Sequence, residues 1–236
     1  MNLDKKDLEK NEECLGSEFA KLAPSKKIII QRQPYYKKLN KQQTKKYKRK
    51  KLNENPLLEK PQLSDVYNFA KKKHDETGVV RNVSKKPYFT HPEMVADIAL
   101  VYGGTDEEIA IALLHDTVED TNTTIEEIEE MYGKNVAEIV SEVTNDPELI
   151  NYYGKENYIN RELLEIDHSA LFIKLCDMYA NILEYPTETQ KRRILNNVEY
   201  LIENRYDDLG DRERRLIKSF PGLKFDLDIS EEDKIN

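Results

Sequence analysis

From Pro61 onward the apolar residues recur at helical spacing, and strand-like alternation is scarce. Leu63, Val66, Tyr67 and Ala70 stand at i, i+3, i+4 and i+7, one face of a helix predicted to end before Gly78. A polar connection through Ser84 and Lys86 follows. Pro92 suits the first turn of the next helix, where a missing N–H costs nothing; Met94, Val95, Ile98 and Ala99 turn inward and Gly103-Gly104 is the stop. Thr105 with Glu108 forms a capping box, and the uncharged run Ile109, Ala110, Ile111, Ala112, Leu113, Leu114 behind it predicts a helix buried on all sides. The same start signal recurs at Thr124 with Glu127, at Asn135 with Glu138 in a looser form, and at Thr187 with Gln190. Leu171 to Leu183 predicts another largely apolar helix, with Asp177 and Asn181 one turn apart. Ile194, Leu195, Val198, Leu201 and Ile202 predict a later amphipathic helix, and Leu216 with Ile217 a short last one. The pattern predicts an all-α bundle of about seven or eight helices.

Composition divides the chain. With 236 residues, 38% hydrophobic and 35% charged, it has room for one ordinary domain plus appendages. Residues 1–60 hold 17 Lys and Arg against 8 Asp and Glu, so the rest must be strongly acidic to reach the net charge of −8. Three parts are expected: a basic, disordered arm over 1–60, a helical domain over 61–222 and an acidic, frayed tail over 223–236. Within the arm, Lys26 to Lys51 carries ten Lys and two Arg and no acid, interleaved with Tyr35, Tyr36 and Tyr47. Two interpretations stay open for it: a solvated segment, or one that binds nucleic acid or another polyanion or directs nuclear import. No stretch approaches the roughly 18 apolar residues of a membrane span, and no signal-peptide core is present. Cys14 and Cys176 give no disulfide framework, so a cytoplasmic protein is expected.

The chemistry concentrates at Leu113-Leu114-His115-Asp116-Thr117-Val118-Glu119-Asp120-Thr121. Burying an unpaired carboxylate costs several kcal/mol, so Asp116, at the end of an apolar helix, and Asp177, inside another, need partners. A divalent cation is one such partner, and imidazole with carboxylate suits borderline ions such as Mn²⁺, Fe²⁺ or Zn²⁺. His115 and Asp116 differ by about 100° around a helix, so they can share an ion only near the helix end, and Thr121-Asn122-Thr123 is a loop signal. Glu119 and Asp120 would follow one turn on, where a carboxylate can take a proton from an acidified water. Hydrolysis of a phosphate ester or anhydride is the reaction class such a patch suits. Plainer interpretations stand beside it. The His-Asp pair can be a solvated helix end, Asp177 a core carboxylate paired with Lys174, His91 an N-cap, and His74 and His168 surface or capping residues.

Taken together, these segments resemble an HD-domain metal-dependent phosphohydrolase, specifically the (p)ppGpp hydrolase domain of the RelA/SpoT family. The likeness is carried by Pro87-Tyr88-Phe89-Thr90-His91-Pro92, Ala112 through Thr121, Thr124-Ile125-Glu126-Glu127-Ile128 with Tyr132-Gly133, Val143-Thr144, and Ile173-Lys174-Leu175-Cys176-Asp177 with Asn181, in order, over about residues 61–205. It implies one Mn²⁺ held by His91, His115, Asp116 and Asp177, with Glu119 and Asp120 orienting and deprotonating the attacking water and Asn181 contacting substrate. The implied reaction removes the 3′-pyrophosphate of guanosine tetra- or pentaphosphate, in a small, hydrolase-only form without a synthetase domain.

Departures fall where the family reads its substrate. The usual basic pair before Ser-Gly-x-Pro-Tyr aligns on Asn82 and Val83, with Arg81 one residue early and Lys85 and Lys86 nearer the ligand His91. Arg81 and Lys85 are therefore expected as substrate contacts. After Asp177 stand Met178-Tyr179-Ala180-Asn181 in place of Arg-Leu-His-Asn, and Glu184 replaces the usual ribose-contacting Thr. Two alternatives follow: an HD-class nucleotidase with another nucleotide substrate, or a non-catalytic nucleotide sensor whose arm binds nucleic acid.

Overall fold

The computed structural model describes residues 61–184 and 186–223, all within one compact unit. The basic segment Lys26–Lys51 and the acidic end from residue 224 lie outside the described residues.

Helix α1, Pro61–Thr77, buries Leu63, Val66, Ala70 and His74, so the predicted face runs one turn further than its last apolar residue. Helix α2, Thr90–Val101, begins two residues before Pro92 and places His91 in its first turn. Helix α3, Asp106–Leu114, starts on the predicted capping box: Thr105 Oγ1 accepts from the Glu108 amide and the Glu108 carboxylate accepts from the Thr105 amide. Ile109, Ile111, Leu113 and Leu114 are fully buried, each contributing about 1.5–3 kcal/mol of hydrophobic stabilisation. A four-residue helix α4, Thr117–Asp120, follows after a break, and α5, Ile125–Tyr132, is capped by Thr124 as predicted.

Helix α6, Lys134–Val143, begins straight after Gly133 (φ 92°), two residues before the start expected from a cap at Asn135. The Asn135 side chain does not cap it but donates to Glu107. Helices α7, Pro147–Tyr153, and α8, Lys155–Glu165, precede the central α9, His168–Leu183, which is capped by Asp167. Helix α10, Glu188–Arg205, carries the second predicted capping box, and α11, Asp211–Ile217, closes the described bundle.

The core lies where α9 packs on α2, α3 and α6, with α1 covering α3; α10 packs on α8 to one side. The described residues contain no strand beyond one isolated bridge, Val80 with Pro87.

The all-α architecture matches expectation, with more helices than the seven or eight predicted. Helix α7 buries nothing, so it leaves no apolar period to detect. Helix α8 buries Tyr158, Ile159, Glu162 and Leu163, and the acid interrupts its stripe because it pairs with buried Lys174 at 3.0 Å.

Candidate metal centre

The break between α3 and α4 builds the centre of the site. Helix α3 stops at Leu114, and the Thr117 hydroxyl donates to the freed Leu114 carbonyl at 2.6 Å. His115 and Asp116 occupy the turn so formed, the helix end at which the two side chains can approach one point.

Three distant segments meet there. Ligand atoms of His91, His115 and Asp177 all lie within 4.8 Å of one another. His91 Nε2 is 2.9 Å from Asp177 Oδ1 and 3.7 Å from Asp116 Oδ2, while His115 Nε2 is 3.8 Å from Asp177 Oδ1. Each imidazole is held from behind: His115 Nδ1 donates to the Ala112 carbonyl at 2.8 Å, and His91 Nδ1 to Glu184 Oε2 at 2.9 Å. With Nδ1 donating in this way, Nε2 is the ring nitrogen that faces the cluster.

The donor set fits a divalent ion on an observation independent of spacing. His115 Nε2 is buried and has no hydrogen-bond partner, and Asp116 Oδ1 lies 3.1 Å away as an ion-pair neighbour. A buried ring nitrogen without a hydrogen bond, facing two carboxylates and a second imidazole, is a position that a cation would fill.

Charge in the site is strongly coupled. Burial works against a charged His91, yet its hydrogen bonds to Asp177 and Glu184 carry it up to about 9. Burial likewise opposes charge on Asp116 and Asp177, but the neighbouring histidines hold both carboxyls below the ordinary range. Positive charge at this point is what the carboxylates demand, and a divalent cation satisfies that demand.

The proposed proton-handling pair follows on α4. Glu119 Oε1 accepts from the Asn145 backbone N–H and side-chain amide, both at 2.7 Å, and Oε2 accepts from the same amide at 2.9 Å. Although Glu119 as a residue is exposed, its carboxyl is turned into a recess, and desolvation there raises its pKa. Desolvation raises Asp120 too, beside the Tyr88 hydroxyl, which donates to Asp116 Oδ2 at 3.1 Å.

Most of these groups face a cavity of about 400 Å³ whose wall includes Arg81, Tyr88, His91, Asp116, Glu119 and Asp177, while His115 and Asp120 do not line it. Asn181 also lines it, donating to Asp177 Oδ1 at 2.6 Å. Arg81, expected as a substrate contact, stacks on Tyr88 and donates to Glu184 at 2.5 Å and to Asn181 at 3.0 Å. Lys85 is exposed in a turn with φ 57° and does not line the cavity.

Two plainer interpretations fail. Asp177 is not paired with Lys174, whose ammonium contacts Glu162 and donates to the Val143 carbonyl at 3.0 Å. His74 is not a surface residue; it is buried and stacks on Tyr88 with ring centroids 5.2 Å apart, and desolvation lowers its pKa to about 4. Its place four residues after Ala70 was the available signal. Sequence reasoning also left Asn145, Lys155 and Lys174 out of the site, although all three line the cavity.

Residues 67–196 match the HD domain family. The chain belongs to that family. Membership in the HD domain family implies a divalent metal at the histidine-aspartate cluster. This HD-domain chain is 40% identical over 128 residues to the guanosine-3′,5′-bis(diphosphate) 3′-pyrophosphohydrolase MESH1 of Xenopus tropicalis, covering 51% of this chain and 67% of the relative. It is 37% identical over 124 residues to the guanosine-3′,5′-bis(diphosphate) 3′-pyrophosphohydrolase of Aquifex aeolicus, covering 51% of this chain and 17% of that longer protein. A solved structure of a metazoan ortholog of SpoT that hydrolyses ppGpp superposes with a TM-score of 0.58 at 24% identity, covering 70% of this chain and 97% of that one. At that identity the superposition establishes the shared fold. No helix among the described residues is long and apolar enough to cross a membrane.

Proposed function

We propose that this HD-domain protein is a Mn²⁺-dependent hydrolase that removes the 3′-pyrophosphate of guanosine tetra- or pentaphosphate. The observation that carries the proposal is the meeting of His91, His115, Asp116 and Asp177, three of which line a cavity that Glu119 on the adjoining turn also lines. Relatives named for this reaction, at 40% and 37% identity, supply the substrate. These four side chains would hold the ion; two imidazoles and two carboxylates without a thiolate suit borderline divalent ions, Mn²⁺ among them. When bound, a divalent ion supplies Lewis-acid polarisation of a phosphoryl oxygen and makes water easier to deprotonate.

The chain's own groups do the rest. Glu119, fixed by three hydrogen bonds from Asn145, accepts a proton from the attacking water, and its raised pKa makes it a better base than an ordinary glutamate. Asp120, beside Tyr88, assists in orienting that water. Asn181 and Arg81 lie on the substrate side of the cavity. Lys155, on the same wall, adds a cation that an anionic nucleotide needs.

A second interpretation, an HD-class nucleotidase for a different nucleotide, is favoured by Arg81 being tied to Glu184 and Asn181 instead of projecting into the cavity alone. Product analysis with purified protein, Mn²⁺ and a nucleotide panel separates the two. Pyrophosphate release from the 3′ position is expected, lost in His115→Ala and Asp177→Ala. Turnover that survives both substitutions overturns the metal-dependent proposal, and preference for 5′-phosphates favours the second.

A further inference from the structure

We propose that Glu184 is a positioning residue: it fixes the ring of the metal-ligand His91 and anchors Arg81 at the cavity wall. The inference rests on the metal-dependent function above and goes beyond it by assigning a role to a carboxylate outside the ligand set.

Asp177, Asn181 and Glu184 stand at i, i+4 and i+7, which puts all three on one stripe of helix α9 and its C-cap. Their side chains form a chain of contacts along the stripe. Asp177 Oδ1 meets His91 Nε2 at 2.9 Å, and Glu184 Oε2 meets His91 Nδ1 at 2.9 Å, so two carboxylates two turns apart bracket one imidazole. Asn181 bridges the interval, donating to Asp177 at 2.6 Å and accepting from Arg81 at 3.0 Å. Arg81 closes the chain with its 2.5 Å ion pair to Glu184.

Only one of the two carboxylates is placed to share an ion with His115. Asp177 Oδ1 lies 3.8 Å from His115 Nε2, whereas Glu184 is on the far side of the His91 ring. Glu184 therefore does for His91 what the Ala112 carbonyl does for His115: it accepts the hydrogen bond from Nδ1–H and leaves Nε2 facing the cluster where an ion would be held. A carboxylate is the stronger acceptor of the two, and it also raises the electron density at Nε2. His91 needs that firmer anchor. It lies on α2, in a first turn whose N-cap Phe89 makes no side-chain cap bond, whereas His115 is braced by its own preceding helix.

The side chain of Glu184 is 12% exposed, so its charge must be compensated, and His91 and Arg81 together do this. One residue thus couples the metal ligand to the loop residue at the cavity wall. A threonine at this position has neither the length nor the charge to make both contacts.

The test measures Mn²⁺ affinity through the free-ion electron paramagnetic resonance signal in the full chain, with the thermal midpoint of each metal-free variant as the control for folding. Glu184→Ala is expected to weaken Mn²⁺ binding about 10- to 100-fold. Glu184→Gln, whose amide oxygen still accepts from Nδ1, is expected to lose less. Arg81→Met is expected to weaken Mn²⁺ binding less than Glu184→Ala, because Arg81 reaches the ligands only indirectly, through Glu184 and Asn181. Unchanged affinity in Glu184→Ala overturns the proposal, as does a loss matched by Arg81→Met. A wild-type protein that binds Mn²⁺ in a Glu184-dependent way yet hydrolyses no nucleotide refutes the proposed reaction and supports the positioning role. Wild-type protein that fails to bind Mn²⁺ sinks both.

Discussion

Replacing Glu108 with alanine tests how the metal-bearing helix α3 is fastened. Glu108 sits at the third position of α3, 3% exposed, and makes two kinds of contact at once. It closes the capping box on Thr105, and it receives a two-pronged ion pair from Arg212 of α11 at 2.7 and 2.8 Å, with the Ser169 hydroxyl of α9 donating at 3.0 Å. Breaking a buried pair by removing one partner costs about 3–5 kcal/mol. Here about 2 kcal/mol is the better figure, since Arg212 is 26% exposed, retains Glu213 at 2.6 Å and lies 4.1 Å over the Phe172 ring. Losing half of the capping box adds about 0.5–1 kcal/mol. The sum lowers the thermal midpoint by about 5–12 °C in a domain of this size.

Circular dichroism at 222 nm follows the unfolding, and a cycle with Arg212→Met isolates the pair. A midpoint shift below about 2 °C, or an Arg212→Met cost that is unchanged in the Glu108→Ala background, would refute the account. Acidity gives an independent check. Burial opposes the charge on Glu108, but Arg212 and the Thr105 amide hold the carboxyl below its ordinary value of 4.5. The folded state therefore prefers the charged form, and the pair's contribution is complete above pH 4.5 and disappears as the pH falls through the lowered value. The gap between wild type and Glu108→Ala should close at low pH.

Three further outcomes are expected. Glu119→Gln should lower kcat by about 10²- to 10⁴-fold, the contribution of a positioned proton acceptor, while Mn²⁺ affinity measured by the free-ion signal stays near wild type; equal loss of metal would move Glu119 into the ligand set. Lys174→Met leaves Glu162 buried without its 3.0 Å partner and should cost about 3–5 kcal/mol in urea unfolding. Replacing both residues with apolar ones should recover most of that, and no recovery would show that Lys174 stabilises through Val143 and Asn145 instead. Mn²⁺ at a hundred times its dissociation constant should stabilise the folded protein by about 2.7 kcal/mol, reversed by a chelator, and an unmoved midpoint in calorimetry counts against a native metal centre.

The fold was legible wherever a helix paid for its place with apolar burial or a cap. Thr105, Thr124 and Thr187 all cap the helices that follow them, and the uncharged stretch of α3 is buried throughout. Helices α7 and α8 escaped for a physical reason. Helix α7 buries none of its residues, and α8 uses Glu162 at a core position because Lys174 arrives from α9 to neutralise it. A pattern of apolar periods cannot register a core position filled by an ion pair. His74 shows the converse error: its spacing put it on the buried face of α1, and its polarity argued against that face.

The candidate site divides along the same line. His115, Asp116, Glu119 and Asp120 are neighbours in sequence, so the loop signal at Thr121-Asn122-Thr123 sufficed to put them near a helix end, although the break itself comes earlier, after Leu114. His91 and Asp177 gain their meaning from a contact across 86 positions, which no periodicity reaches; only the family resemblance supplied it. Glu184 lay within the resembling stretch, but as a departure from its pattern, and a departure has no assigned partner. Its contact with His91 spans 93 positions and that with Arg81 spans 103. Resemblance recovers the residues a family shares. The groups that hold those residues in place are chosen by each chain's own packing, because any acceptor of the right length at the right point satisfies the same ring nitrogen. A carbonyl does so for His115 and a carboxylate for His91, and the carboxylate brings Arg81 with it. On the proposed roles, the departure at Glu184 is where the metal site and the substrate wall of this chain are joined.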